Sequence, residues 1–217
     1  MGLDSDGLDR MRRLLRHRLL NIASAVKSSN MLLASELDDR LSAREREYFP
    51  LIQKECDQIS ELVERVDAAC GQLPASAFFP VALTISSLMN EICSKHPMAE
   101  ITVEVDVADP GREICMSTLK VLLEEVVSNA YEISRKPVTV SVGDHVTGCL
   151  IQVFDQGEAL PAAGCEMAFE PFYTTRTRHL GVGLSIVKRM VLSQGGTVSI
   201  APGLAGNVFT CLLPYRN

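Results

Sequence analysis

From Leu8 to Cys70 apolar residues recur at helical spacing, and beyond that stretch the rhythm changes. With Leu15 as origin and about 100° per residue, Leu8, Met11, Leu19, Ile22, Val26 and Leu33 fall within about 40° of one line. That is a narrow seam suited to a helical bundle. Ser42 with Glu45 predicts a capping box, in which each side chain satisfies an otherwise unpaired backbone N–H. The helix it announces carries a stripe of Tyr48, Ile52, Cys56, Ile59, Val63, Val66 and Cys70. Pro50 removes one backbone donor there, so a kink or a late helix start is expected. Two seamed helices joined by ELDDRL make a hairpin, and one hairpin cannot bury the flanks of both seams. A homodimer closing into a four-helix bundle is the simplest remedy.

GQLPASAFFP, with Gly71, Pro74 and Pro80, breaks the helical period and sets a domain boundary near residue 72, giving segments 1–72 and 73–217. After it the periods alternate. PVALTISSLMNEIC and STLKVLLEEVVSNAYEIS read as helices, AEITVEVDV as a strand, and TVSV and CLIQVF as two more strands. VGLSIVKRMVLSQ is a further helix, and GTVSI and NVFTCLLP close the chain as strands. The expected class is α+β: an N-terminal helical hairpin, then helices packed on one face of a mixed sheet as an α/β sandwich.

Composition narrows the partners. The 217 residues are 47% hydrophobic, enough for a real core, and the net charge of -6 argues against a general nucleic-acid binder, which needs a basic surface. Seven cysteines, without a CxxC pair or a histidine at ligand spacing, fit reduced packing residues in a cytoplasmic protein. No apolar run reaches the roughly 20 residues that cross a bilayer, and the N-terminus lacks an apolar signal core. Membrane insertion is not expected, and any membrane-borne sensing would fall to a separate sensor protein.

Candidate chemistry lies in four stretches in fixed order: EEVVSNA, VFDQGEA, FEPFYTTR and GVGLSIV. On the first, Glu125 and Asn129 stand one turn apart along an edge of the apolar arc Leu119, Leu122, Leu123, Val126, Ala130 and Ile133. In the second, an apolar strand ends on Asp155, followed by Gly157. The third and fourth combine an aromatic anchor (Phe169, Phe172, Tyr173) with a short lid and with Gly181 and Gly183 opening a helix, where backbone N–H groups can bind phosphate.

Together and in this order the four stretches resemble the ATP-binding domain of sensor histidine kinases, in the superfamily that also holds gyrase and the mismatch-repair ATPases. The resemblance covers about residues 75 to 215 and implies the Bergerat-type fold and ATP with Mg²⁺ as cofactors. It implies that Asn129 is a Mg²⁺ ligand and that Glu125 polarises water or organises the metal. Asp155 would accept a hydrogen bond from the adenine amino group while Gly157 lets the backbone approach the base. Gly181, Gly183 and Ser185 would line the phosphates, Ser185 standing where relatives often have a third glycine. Thr174, Thr175 and Arg176 are lid contacts in the same reading, whereas His179, His96 and His145 are surface histidines. Ala159 departs from the pattern, at the position of a second glycine.

LLRHRLLN looks like the phosphoacceptor segment of the same family, extending the match over nearly the whole chain. On the seam map His17 falls at about 200° and Asn21 at about 240°, so both face away from the core, one turn apart. A neutral imidazole nitrogen is a nucleophile for the γ-phosphate of ATP, and the resemblance implies onward transfer to an aspartate of a response regulator receiver domain. Asn21 matches the position that orients a water for dephosphorylating the regulator. Arg18 stands where the family has a carboxylate, which would hold the imidazole tautomer and take its proton. Arg10, Arg12, Arg13, Arg16 and Arg18 make the segment basic, either as an attraction for the acidic pocket of a regulator or as a solvated face. The expected function is a histidine autokinase core. The alternative is an ATP-degenerate phosphotransferase, phosphatase or scaffold on the same fold.

Overall fold

The structure is a computed structural model that describes residues 5–70, 73, 75–175 and 180–216, with the side chains at 5–9, 11, 38 and 68–70 outside that description. Leu8, Met11, Cys70, Gly71, Pro74, Arg176 and His179 therefore lie, in whole or in side chain, outside the described residues. The chain divides into two compact units, Met1–Gln72 and Leu73–Asn217.

The first unit is a helical hairpin. α1 spans Ser5–Leu37 and leads through a 3-10 turn, Asp38–Arg40, to the short α2, Ala43–Arg46, and then α3, Tyr48–Cys70. The capping box is present: Ser42 N–H donates to Glu45 Oε2 at 2.8 Å, and Glu45 N–H donates to Ser42 Oγ at 3.3 Å. The helix it starts ends after one turn, and Pro50 sits in the first turn of α3, where a missing N–H costs nothing because that donor has no intrahelical partner.

The covered positions of the hairpin differ from the predicted seam. On α1 they include Leu20, Ala23, Lys27, Asn30, Ala34 and Leu37, and on α3 Phe49, Gln53, Cys56, Ser60, Val63 and Asp67. Both sets follow the three-four spacing of antiparallel helix packing. Small and polar side chains make up much of this contact. Asn30 Nδ2 donates to the Phe49 carbonyl at 2.8 Å, Lys27 pairs with Asp57 at 2.7 Å, and Asp67 takes both Arg12 and Arg16. The leucine-rich seam lies one position aside and is exposed, from Leu19 at 43% to Ile22 at 60%. On α3 the predicted stripe splits likewise: Cys56 and Val63 are buried, while Tyr48, Ile52 and Ile59 are exposed. The periodicity located an apolar line, but the first neighbour of that line is not the other arm of the hairpin.

The second unit opens with β1, Phe78–Pro80, and α4, Val81–Lys95, followed by β2, Ile101–Asp106, β3, Glu113–Cys115, and α5, Met116–Ser134. Then come β4, Val138–His145, β5, Gly148–Phe154, α6, Ala162–Met167, α7, Gly183–Ser193, β6, Thr197–Pro202, and β7, Asn207–Leu213. Five strands form a mixed sheet in the order β2-β4-β5-β7-β6, with β2 parallel to β4 and the other pairs antiparallel, and β1 pairs with β3 separately. Alternation on the central strands turns Val138, Val140, Val142, Ile151, Val153, Phe209, Cys211 and Leu213 to one face. Against this core pack Ile85, Leu88 and Ile92 of α4, Leu119, Leu122, Leu123, Val126 and Val127 of α5, and Val187 and Val191 of α7. Each fully buried leucine contributes about 1.5–3 kcal/mol. Among the described residues no helix is long and apolar enough to cross a membrane.

Candidate functional site

The best-defined polar cluster lies where β5 ends. Asp155, the first residue past the strand, turns its carboxylate back on its own loop: Oδ1 accepts from Gly157 N–H at 2.7 Å and from Asn207 N–H at 3.2 Å. Asn207, at the start of the neighbouring strand β7 and 6% exposed, ties the corner together. Its Nδ2 donates to Asp155 Oδ2 at 3.2 Å and to the Glu158 carbonyl at 3.0 Å, and its Oδ1 accepts from Leu160 N–H at 2.8 Å. Asp155 N–H donates to the Asn207 carbonyl at 3.0 Å. Gly206 permits this approach, because a Cβ there would stand 2.4 Å from the Asp155 carbonyl oxygen. Oδ2 carries only the Asn207 amide contact among these bonds, so the carboxylate keeps lone pairs for a further donor such as an exocyclic amine.

The Asp155 turn packs against the end of α5. A Cβ on Gly157 would lie 3.6 Å from Ile133 Cγ2 and 3.7 Å from Ser134 Cβ, and Lys136 Nζ donates to the Gln156 carbonyl at 3.0 Å. Glu125, Asn129 and Ile133 occupy i, i+4 and i+8 on α5, so one helix edge leads from the half-buried Glu125 and Asn129 to this turn. Ile133 was expected in the buried arc and is 58% exposed. Its place is the outer edge of the helix beside Gly157, where it offers an apolar surface, while Leu119, Leu122, Leu123, Val126 and Ala130 are buried as the arc requires. Ala159 is exposed and adds no core contact.

The lid is clasped at its base. Phe172 N–H donates to the Gly181 carbonyl at 2.9 Å, and both residues take left-handed backbone, φ 68° and 69°. A Cβ on Gly181 would meet the Tyr173 carbonyl oxygen at 2.4 Å, so only glycine fits. Phe169 is the true anchor, buried against Phe209 with ring centroids 6.2 Å apart and Lys188 above its face. Phe172, expected as part of that anchor, is exposed because its backbone serves the clasp. Thr174 and Thr175 are exposed. Gly183 begins α7 and is buried, and Ser185 Oγ donates to the Val182 carbonyl at 2.7 Å within the first turn. No group of three or more His, Cys, Asp or Glu that could hold a metal ion exists among the described residues. A hard cation here would depend on Asn129 and on the phosphates of a substrate, which suits Mg²⁺.

Of the two further histidines expected at the surface, His145 is there and His96 is not. His145 is exposed, with Nδ1 3.0 Å from Thr147 Oγ1, whereas His96 is half-buried at the end of α4, 3.0 Å from Ser128 Oγ and edge-on to Tyr131. In the hairpin unit, His17 and Asn21 are both exposed on α1, and the Asn21 amide lies 3.1 Å from His17 Nδ1. An open groove of about 410 Å³ is lined by Arg10, Arg13, Leu14 and His17. Arg18, next along the chain, is exposed.

Asn207 and Gly206 escaped the sequence reading, and Ile133 reads in sequence as core rather than as the edge beside Gly157. Gly206-Asn207 before an apolar strand is an ordinary turn signal, and nothing in the local pattern says that it folds onto Asp155 fifty residues earlier.

Comparison with known proteins gives these sites a context. Residues 116–217 match the family described as Histidine kinase-, DNA gyrase B-, and HSP90-like ATPase. Sporulation kinase C of Bacillus subtilis (strain 168) is 24% identical over 94% of this chain and 48% of its own length. Sensor histidine kinase ZraS of Escherichia coli (strain K12) is 31% identical over 50% of this chain and 23% of its own. The chain thus spans about half or less of these curated relatives. Among solved structures, full-length ShkA in complex with AMPPNP superposes with a TM-score of 0.81 at 21% identity, over 96% of this chain and 46% of that one. At that identity the likeness is one of fold. The catalytic domain of histidine kinase ThkA gives a TM-score of 0.59 at 25% identity, over 65% of this chain and 96% of that domain.

Proposed function

From a chain that has the make-up of a histidine kinase core, with residues 116–217 belonging to the histidine kinase-, DNA gyrase B- and HSP90-like ATPase family, we propose a specific reaction. Residues 73–217 bind ATP with Mg²⁺, and the γ-phosphoryl group passes to His17 of residues 1–72 and then to an aspartate of a response regulator receiver domain.

Asp155 Oδ2 accepts the adenine amino group while its Oδ1 is fixed by Gly157 and Asn207. Ile133, beside Gly157, gives the base an apolar wall. Backbone N–H groups at Gly181, Gly183 and the first turn of α7 would bind the phosphates, the Gly181 backbone being fixed by the lid clasp; Ser185, buried with its hydroxyl on the Val182 carbonyl, contributes through the backbone of that turn. Asn129 would hold the magnesium and Glu125 would order water beside it; the metal would supply charge neutralisation on the phosphates. His17 attacks the γ-phosphorus, the bond to the bridging oxygen breaks, and ADP leaves. Asn21 orients a water when the regulator is dephosphorylated. Dimerisation covers the exposed seam Leu15, Leu19, Ile22, Val26 and Leu33 in a four-helix bundle.

The observation that carries this reading is a solvent-facing imidazole on a bundle-type helix, already in contact with Asn21, in a chain whose residues 116–217 match the histidine kinase-, DNA gyrase B- and HSP90-like ATPase family. Incubation with γ-labelled ATP should label the chain, and added receiver domain should draw the label off. A chain that stays unlabelled at saturating ATP would overturn the reading.

Arg18 supports a second reading, since a guanidinium cannot take the imidazole proton. In that reading the chain shuttles or removes phosphoryl groups without using ATP. Absence of ATP binding together with label uptake from a phosphorylated receiver domain would select it.

A further inference from the structure

We propose that Arg10 and Arg13 form with His17 a subsite for the oxygens of a phosphoryl group, so that the acceptor helix itself supplies positive charge at the point of transfer. This rests on the reading of His17 as the acceptor. With Leu15 as origin and about 100° per residue, Arg13, His17 and Arg10 fall at about 160°, 200° and 220°, one narrow arc of α1. Arg13 stands one turn before the histidine and Arg10 almost two. Helical side chains lean toward the N-terminus, which tilts the imidazole over the turn that carries Arg13. The three share one open groove of about 410 Å³ with Leu14.

The five arginines of this segment sort by what they meet. Arg12 and Arg16, at about 60° and 100°, lie toward the covered face of the hairpin, and Asp67 of α3 takes both. Their charge is matched within the hairpin. Arg18, at about 300°, borders the exposed leucine seam. Arg10 and Arg13 are exposed, and neither forms an ion pair among the described residues. No described residue lining their groove is acidic. Two guanidinium groups thus stand unmatched beside an imidazole, in a protein whose net charge is -6. A guanidinium is a planar fork of N–H donors with no acceptor, which suits the oxygens of a phosphoryl group.

In transfer, an imidazole lone pair forms the bond to the γ-phosphorus, the bond from phosphorus to the β,γ-bridging oxygen breaks, and its electron pair leaves with ADP. The ring proton passes to solvent. Charge on a phosphoryl group in transit is spread over its three equatorial oxygens, and donors aimed at those oxygens lower the barrier. Arg13 and Arg10 donate to them and take no proton. They supply charge neutralisation, not the base whose place Arg18 occupies.

Phosphoramidate probes the subsite with neither ATP nor a regulator present: the imidazole attacks phosphorus, the phosphorus–nitrogen bond breaks, and ammonia leaves. Phosphohistidine would be followed by phosphorus NMR, the His17 share being the part that His17→Gln lacks. Replacing both arginines, Arg10→Gln with Arg13→Gln, should slow phosphorylation of His17 roughly two- to thirtyfold, the scale of two exposed charge contacts. Lysine at both positions should recover most of that loss. Arg40→Gln with Arg44→Gln removes the same charge at exposed positions at the other end of the hairpin and should leave the rate unchanged. Arg10 and Arg13 are exposed, so helical circular dichroism should be retained in every variant. Equal rates in the wild type and the Arg10, Arg13 glutamine variant would overturn the proposal, even where transfer to a receiver domain slows. So would an equal loss in the Arg40, Arg44 variant, or no recovery with lysine. Failure of the His17 reading looks different, with the wild type and His17→Gln taking up the same amount of phosphoryl group. Failure of the ATP reaction is separate again: phosphoramidate would behave as stated while γ-labelled ATP leaves no label on the chain.

Discussion

Asn207 satisfies three loop groups with one side chain, and the Asp155 corner depends on it. Asn207→Ala removes the partner of the half-buried Leu160 N–H and of the Glu158 carbonyl at the exposed rim, a loss of about 1 kcal/mol, since water can reach part of what is left unpaired. Thermal or urea unfolding should register that loss, together with weaker ATP binding as Asp155 loosens. Asp155→Asn acts differently. The fold should persist, but an amide at this position can present NH₂ where an acceptor is needed, so ATP affinity measured by calorimetry should fall at least roughly tenfold. An Asp155→Asn protein that binds ATP normally would remove the carboxylate from the adenine contact. Asp155, Gly157 and Gly181 stand out in the sequence because a carboxylate or a glycine at the end of an apolar run marks itself. Asn207 and Gly206 do not, since their partner is distant in the chain and the pairing of β5 with β7 supplies the proximity.

Period made the long elements legible and left the short ones hidden. α4, α5, α7 and the strands β2, β4, β5, β6 and β7 all follow runs whose rhythm is unambiguous. The three-residue β1 and β3 are too short to show alternation, and α6 spans barely more than one turn. The parallel pairing of β2 with β4 is a tertiary choice that local rhythm does not encode. At the far end of the same sheet, Tyr215 beyond β7 donates to Asp144 Oδ1 on β4 at 2.5 Å, with Arg112 3.7 Å from its ring centroid. The Tyr215 hydroxyl first, and then the Ala108 N–H, hold the Asp144 carboxyl below its ordinary value, while burial and this bond push the phenol up. The signs are opposite. The depressed carboxylate stabilises the fold above its ordinary range and loses that contribution as pH falls through its folded value. The raised phenol stabilises below its ordinary value near 10 and loses its contribution as pH rises beyond it. Tyr215→Phe should therefore lower the melting temperature near neutrality and flatten its dependence on pH at both extremes. Equal pH profiles for the two proteins would remove the clamp from the account.

For the whole molecule the unsolved surface is the seam of α1. Its leucines, Ile22 and Val26 are exposed, while the hairpin packs through the adjacent face, where Ala23 and Asn30 are buried. Two seams on one helix are what a four-helix bundle requires, since each helix there has two neighbours. Ile22→Glu places a charge in the proposed dimer seam at a position 60% exposed in the single chain. Sedimentation equilibrium should find the wild type dimeric and this variant shifted toward monomer, with helical content retained; a monomeric wild type would contradict the bundle. The central claim joins the two units: ATP held by the second unit phosphorylates His17 on the first. Its most direct measurement is incubation of wild type and His17→Gln with γ-labelled ATP, side by side. The account predicts label on the wild type that is lost in acid, and none on His17→Gln. Label persisting on His17→Gln, or a wild type that binds ATP and stays unlabelled, would contradict it.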